Sequence, residues 1–405
     1  MTSAPSRPTS RLSWIDWMRG LACVLMFQTH CYDSWLGGDA RKGDFLRWSQ
    51  RLGTLPAPLF LFLAGISFAL VITKLIRKDQ SPGQITRTMA RRGAEILAFG
   101  LLFRLQEYLI AWGWAPWTDL FRVDILNVIG LSMIFMALLC GLVLVTASRS
   151  PQRSSLKPAE APPEAPVIRL VSASIAITAM IALLTPALYT TWRPTWLPWE
   201  LESYIDGCHN LGAPQPWLFC IFPWTAFAFA GLAAGFILFG GRARERTAPI
   251  LAAFAGIGAA AILLAYALDH SSIQIFPVYD YWHTSPNFLM MRIGMLLMIC
   301  LLAYGWTSWA LPGLGQWAVR FSPLIQLGQT SLLVYWVHIE FVYGRFSILP
   351  KRSVAVMTAT RGLIEIFLFM LILSIARTRL DWKKIDWSRI GRKTIAERPR
   401  EVRAD

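Results

Sequence analysis

Within DWMRGLACVLMFQTHCYD, residues 16–33, the side chains of Asp16, Arg19, His30 and Asp33 interrupt an apolar run. At about 100° per residue of helix these four share one stripe roughly 100° wide, with Arg19 and His30 about 16 Å apart along the axis. A histidine titrates near neutrality and can take a proton from a hydroxyl or amine, while a carboxylate one turn on orients the ring and stabilises the imidazolium. His30 with Asp33 fits that chemistry, and His30 could equally be acylated as a nucleophile. Transporters relay protons with the same residue types. Two local ion pairs, Asp16 with Arg19 and His30 with Asp33, would also account for the four residues without any chemistry.

The elements that must carry them are helices in a bilayer. The 405-residue chain is 55% hydrophobic and 16% charged, a balance expected of a polytopic membrane protein. A span needs roughly 20 apolar residues, and ten stretches qualify: 14–34, 54–76, 93–113, 123–146, 167–190, 217–240, 248–268, 287–309, 323–343 and 353–376. Only helices or closed barrels satisfy the backbone in lipid, so the expected fold is an all-α integral membrane protein of about ten transmembrane helices. Five of them besides the first send ionisable or polar groups to similar depth. These are Arg104 and Glu107, Asp124 and Asn127, Arg292, His338 with Glu340, and Arg361 with Glu365. An ionisable residue inside a membrane is expensive and marks function by default, so a shared cavity is expected, with interhelical ion pairing as the structural alternative.

The net charge of +15 has a topological reading. With the N-terminus placed in the cytoplasm, most of the 39 Lys and Arg fall in the N-terminus, the even-numbered loops and the tail, as the positive-inside bias requires. Both termini are therefore expected to be cytoplasmic, with residues 377–405 a basic tail near anionic headgroups and no nucleic-acid partner. Residues 1–13 form the cytoplasmic N-terminus. Residues 14–376 form one membrane domain, interrupted by a Pro- and Ser-rich cytoplasmic linker at 148–167. The charged first span does not read as a cleavable signal. The expected location is the cell's plasma or inner membrane, with the bilayer as first partner and a homo-oligomer as a second association.

Other function classes lack their signals. The chain has no Walker A loop, and LPGLGQW at 311–317 is loop punctuation. HCYD and CHN lack metal-ligand spacing, so no metal is expected. Five of the six cysteines lie in or at spans, which leaves no disulfide framework. The outer loops 191–216 and 269–286 are acidic and aromatic, suiting interfacial anchoring or the stacking of a sugar-like acceptor.

Several segments resemble a known family. Arg11-x4-Asp16-x2-Arg19-Gly20, with Met26 in the same helix, resembles the opening of the heparan-alpha-glucosaminide N-acetyltransferase catalytic-domain family. The Arg19-x10-His30 spacing is similar to that of the acyltransferase family three membrane proteins, of the same wider group. APLFLFLAGISFAL at 57–70, RVDILNVIGL at 122–131, FPWTAFAFAGLAAG at 222–235 and SLLVYWVHIEFVYG at 331–344 resemble later helices of the first family.

The resemblance implies transfer of an acyl group, usually acetyl, from cytoplasmic acyl-CoA to a small-molecule or glycan acceptor at the far side of the membrane. It implies His30 as the catalytic histidine and Arg19 as part of the donor channel or of the first-helix scaffold. Phosphates cannot cross lipid cheaply, so coenzyme A should dock on the basic inner face, where Arg77, Lys78, Arg87, Arg91 and Arg92 could meet them unless they serve topology alone. Asp33 is expected to orient His30, and His338 to assist from across the cavity. Asp16, Glu107, Asp124, Asn127, Arg292 and Arg361 are expected around the cavity. The alternative from another class is a proton-coupled transporter using the same buried residues.

Overall fold

Helix occupies most of the described part of each of the ten apolar stretches in the computed structural model, which describes residues 12–148, 164–207, 219–241, 246–272, 275–276 and 280–380. The long elements are α1 (Ser13–Trp35), α3 (Pro56–Ile76), α4 (Pro82–Ile110), α5 (Ile125–Ser148), α6 (Glu164–Thr190), α8 (Ile221–Phe239), α9 (Thr247–Asp269), α10 (Pro286–Gly305) and α13 (Val356–Arg379). Shorter helices are α2 (Asp44–Gly53), α7 (Trp199–Ile205), α11 (Pro323–Gln329) and α12 (Ser331–Val342). Seven helices among the described residues are long and apolar enough to cross a membrane, namely those carrying α3, α5, α6, α8, α9, α10 and α13.

Small residues bring these helices together backbone to backbone, as in membrane bundles generally. A Cβ on Gly65 of α3 would meet the Ala228 carbonyl of α8 at 2.1 Å, and one on Gly231 would meet Phe62 O at 2.0 Å. A Cβ on Gly258 of α9 would meet the Gly294 carbonyl of α10 at 2.5 Å, and one on Gly294 would meet the Gly258 carbonyl at the same distance. Gly100 of α4 packs on Asn127 and Gly93 on Gly130 of α5, so α4 and α5 run antiparallel.

Four local outcomes depart from the spans expected from sequence. The third helix begins at Pro82 rather than near 93, because Ser81 and Gln84 close a reciprocal capping box ahead of it. Arg87, Arg91 and Arg92 therefore ride on a helix and not in a loop. Residues 44–53, expected as an outer loop, form the amphipathic α2, which buries Leu46 and Ser49 and exposes Phe45, Trp48 and Leu52. Helix α6 starts at Glu164, inside the expected linker, of which residues 149–163 lie outside the described residues. Residues 1–11 and 381–405, including most of the basic tail, also lie outside them.

The ninth stretch departs most. It breaks at Thr330 (φ −121°, ψ 23°) into α11 and α12. A Cβ on Gly20 of α1 would meet Leu324 O at 1.9 Å and one on Gly328 would meet Asp16 O at 1.8 Å, so α11 runs antiparallel to α1. Helix α12 turns back and rises parallel to α1, with His338 beside Phe27 and His30 and the Val342 carbonyl bonded by Ser34. At roughly 1.5 Å per residue its 12 residues are too few to cross a bilayer alone.

Candidate active site

That reversal puts two histidines in contact. His30 Nδ1 lies 2.9 Å from His338 Nε2, and the rings stack at 5.2 Å with an interplanar angle of 6°. The tautomers follow from the hydrogen-bond network. His338 Nδ1 lies 2.9 Å from the Val334 carbonyl, an acceptor, so Nδ1 carries the proton and donates. In neutral His338 the Nε2 lone pair then accepts from His30 Nδ1–H, and neutral His30 keeps its own lone pair on Nε2. Val334, at i−4 of His338 on α12, thus fixes which nitrogen of His30 is basic. His338 is wholly buried and His30 partly exposed, so the orienting group is sheltered and the basic one accessible.

Asp33, expected to orient His30, has other partners. Its Oδ1 accepts from Arg41 Nη2 at 2.9 Å and its Oδ2 from the Tyr343 hydroxyl at 3.0 Å, and Arg41 also bonds the Asp33 carbonyl. The turn after α1, with the short helix Gly38–Lys42, carries Arg41 back to the carboxylate. Tyr343 sets its ring edge-on to His30 at 5.3 Å, so the phenol that Asp33 holds packs against His30.

At the other end of the stripe the local pair forms as expected. Arg19 Nη1 bonds Asp16 Oδ1 at 3.0 Å while Nη2 bonds Ser67 Oγ of α3 at 2.7 Å. Arg19 and Ser67 line a cavity of about 530 Å³ walled mostly by apolar groups of α3, α4, α5 and α12, such as Phe60, Met89, Ile129 and Leu332. Arg92 and Glu95 are its other charged lining residues. From Met89 on α4 to Ile125 on α5 the lining extends roughly 20 Å along the helix axes, counting about 1.5 Å per residue. Tyr335 also lines the cavity, one turn before His338, with the two rings 5.9 Å apart. Arg87 and Arg91, expected beside Arg92, are exposed and outside the lining, and Arg91 instead pairs with Glu95 at 3.1 Å. Arg77 turns to the α8 C-terminus, 3.5 Å from the Phe239 carbonyl.

The remaining expected residues divide between the core and the surface. Asp124 and Asn127 cap α5 reciprocally: Leu126 N donates to Asp124 Oδ1 and Asp124 N to Asn127 Oδ1, both at 3.3 Å. Asp124 Oδ1 also accepts from the Tyr335 hydroxyl at 2.5 Å, and Asn127 Nδ2 donates to the Tyr204 hydroxyl of α7 at 3.0 Å. Burial raises the Tyr204 pKa above its ordinary value, which keeps that phenol neutral. Glu107 and Glu340 meet by side-chain contact, and Glu340 accepts from Gln106 Nε2 at 2.9 Å. Arg292 is buried at the far side of α1, against α2 and α10 residues. Arg361, expected at the cavity, is exposed on α13 and absent from the lining, because it lies on the face turned away from buried Gly362 and Ile366. No group of three or more metal-ligating side chains occurs among the described residues.

The family comparison bears on the first third of the chain. Residues 11–147 match the family model for heparan-alpha-glucosaminide N-acetyltransferase, catalytic. The match runs from before α1 to the end of α5 and takes in Asp16, Arg19, His30, Asp33 and most of the cavity wall. It supports a transferase role of the acetyltransferase kind and does not favour the transporter. A search of curated proteins returned no match. Tyr335, His338 and Tyr343 lie beyond the matched segment, so their place in the site rests on contact geometry alone.

Sequence reasoning passed over Ser67, Tyr335 and Tyr343. The serine carried a weak signal as a hydroxyl in an apolar span. Tyr335 within α12 and Tyr343 just past its end flank His338 at i−3 and i+5, on the side turned to α1 once the segment of α11 and α12 is known to reverse. The run Gly328-Gln329-Thr330 inside an apolar segment was the available sign of that break.

Proposed function

We propose that the protein is a transmembrane acyltransferase that moves an acetyl or other acyl group from cytoplasmic acyl-CoA to a hydroxyl or amine of a sugar-like acceptor on the outer side of the cell membrane. The His30–His338 contact carries this reading. It presents a basic His30 Nε2 whose tautomer is held by a buried second histidine and its helix carbonyl, as general-base catalysis requires. In the proposed topology all ten apolar segments are membrane-embedded and both termini are cytoplasmic, which sets Arg19 toward the donor side and His30 toward the acceptor side.

The cavity suits an elongated, amphiphilic donor. Its apolar wall would take the arm, with Arg92 toward the phosphate end and Arg19 fixed by Asp16 and Ser67 partway along. Acyl-CoA, when bound, supplies an activated thioester carbonyl. His30 Nε2 accepts the acceptor's O–H or N–H proton as the oxygen or nitrogen bonds to that carbonyl carbon. The carbon–sulfur bond breaks, and the imidazolium returns the proton to the departing sulfur, so charge and atoms balance. His338 Nε2 meanwhile stabilises the charged ring through His30 Nδ1–H.

The test is direct. Purified protein in liposomes is given labelled acetyl-CoA with a panel of sugars, amines and lipid-linked glycans, beside His30→Ala. Label appears in an acceptor with the native chain and falls to background with the variant. Consumption of no acyl-CoA with any acceptor, together with solute uptake driven by a pH gradient, would overturn the reading.

A further inference from the structure

Arg292 is a buried cation. It is 3% exposed, yet its polar contacts are weak: Nη1 meets the thioether of Met295 at 3.5 Å, a poor acceptor, and Nη2 lies 3.5 Å from the Arg51 carbonyl, beyond the usual N–H···O length. Its guanidinium lies 4.7 Å over the Phe288 ring, and Nε has no partner. Among the described residues no acidic side chain pairs with it. Buried charges are otherwise paired, since an unpaired one forfeits its hydration without recompense.

Two further orphaned atoms lie on α1 and on α2, the helix whose Arg51 carbonyl Arg292 meets. Gln50 Nε2 and Gln28 Oε1 are buried without partners. Gln50 precedes Arg51 on α2, and its Oε1 lies by Gly53, beside Thr29 of α1. Gln28 of α1 reaches Ser49 of α2 through its Nε2. The junction of α1, α2 and α10 thus gathers a fork of guanidinium donors, an amide donor and an amide acceptor, none well used within the protein. Arg292 sits six residues into α10, roughly 9 Å along the axis, under an α2 that turns Phe45, Trp48 and Leu52 outward. That depth and that apolar face suit an interfacial helix covering a site at headgroup level.

We propose that Arg292, assisted by Gln50 and Gln28, forms an oxyanion site at the α1–α2–α10 junction that binds a phosphate group presented from the adjoining leaflet. A guanidinium fork takes phosphate oxygens in bidentate fashion, the amide of Gln50 adds a donor, and Gln28 Oε1 accepts from a neighbouring hydroxyl. The phosphate belongs either to a lipid headgroup or to a phosphorylated acceptor. Phosphate binding here needs neither His30 nor the donor cavity and is tested separately from the acyl-transfer reading; only the name acceptor for a soluble phosphate ester rests on that reading.

The experiment uses the full chain in a neutral detergent without acyl-CoA, and follows thermal unfolding with three probes. These are dioctanoyl phosphatidylglycerol, dioctanoylglycerol as its phosphate-free counterpart, and glucose 1-phosphate. A ligand that binds only the folded state raises the melting temperature in proportion to its occupancy. A shift with phosphatidylglycerol but not with dioctanoylglycerol identifies a headgroup phosphate; one with glucose 1-phosphate identifies a phosphorylated acceptor. In either case Arg292→Gln should weaken the dissociation constant roughly ten- to a hundredfold, the loss of a charged hydrogen-bonding partner. If that variant does not fold, Arg292→Lys and Gln50→Leu should each weaken binding by a smaller factor. The proposal is overturned if neither phosphate shifts the native chain, or if the shifts are the same in the folded variants.

Discussion

The two ends of the α1 stripe began with the same pattern, an acidic and a basic group three residues apart, and folded differently. At Asp16 and Arg19 the pair closes on itself and takes one further bond, to Ser67. At His30 and Asp33 it opens: His30 turns to His338 on α12, and Asp33 to Arg41 and Tyr343. A guanidinium reaches a carboxylate one turn away easily, and the two charges then meet within the helix. An imidazole has one donor to give in its neutral form, and here a buried acceptor on a neighbouring helix takes it. The closed end holds a scaffold and a cavity wall; the open end leaves a nitrogen free for chemistry.

The comparison breaks hardest at His30. Replacing it by alanine removes the base and should lower acyl transfer about 10²- to 10⁴-fold, measured as labelled product per unit time, while the melting temperature moves little. His338→Phe comes next. The ring volume and the contact with Phe27, 5.0 Å between centroids, survive, but His30 Nδ1–H loses its acceptor and its tautomer is no longer held. A loss of about 1–3 kcal/mol would lower turnover roughly five- to 150-fold. Unchanged turnover would remove His338 from the site.

At the closed end, the effect should pass from rate to stability. Asp16→Ala leaves Arg19 without that carboxylate while its bond to Ser67 of α3 stays in place, and should cost about 1–3 kcal/mol of folding stability, read as a lowered melting temperature. If instead turnover collapses with stability intact, Asp16 belongs to the chemistry and the division between the two ends fails.

Much of this was legible in the chain because lipid makes charge conspicuous. The all-helical class, the polar stripe on α1 and the pairing of Asp16 with Arg19 all follow from local periodicity. What periodicity could not supply was a partner from a distant segment. A continuous apolar run at 323–343 gives no count by which to see α11 and α12 fold against each other, and without that reversal His338 and Tyr343 have no assigned face. Arg361 shows the converse failure: depth within a span says nothing of azimuth, and its helix turns it outward. The basic cluster was misplaced for a third reason, since the Ser81 cap extends α4 through residues that hydropathy assigns to a loop.

The smallest effect tests the open end most finely. If Asp33 oriented His30 directly, as adjacency on the helix suggests, an asparagine would offer an amide donor where the ring needs an acceptor. That could hold His30 in the wrong tautomer, and turnover would fall by orders of magnitude, as it does when the orienting carboxylate of a catalytic triad is so replaced. The geometry here gives another expectation. Asparagine keeps one acceptor oxygen for the Tyr343 hydroxyl or for Arg41, and His338 continues to receive the His30 proton. The substitution then forfeits a single bond between partly exposed groups, about 0.5–1.5 kcal/mol, and turnover should drop no more than roughly tenfold. Tyr343→Phe, which removes the same bond from its other side and keeps the ring against His30, should match it. A double variant no worse than either single one would place both residues in one positioning contact, whereas additive losses would return to Asp33 a role of its own.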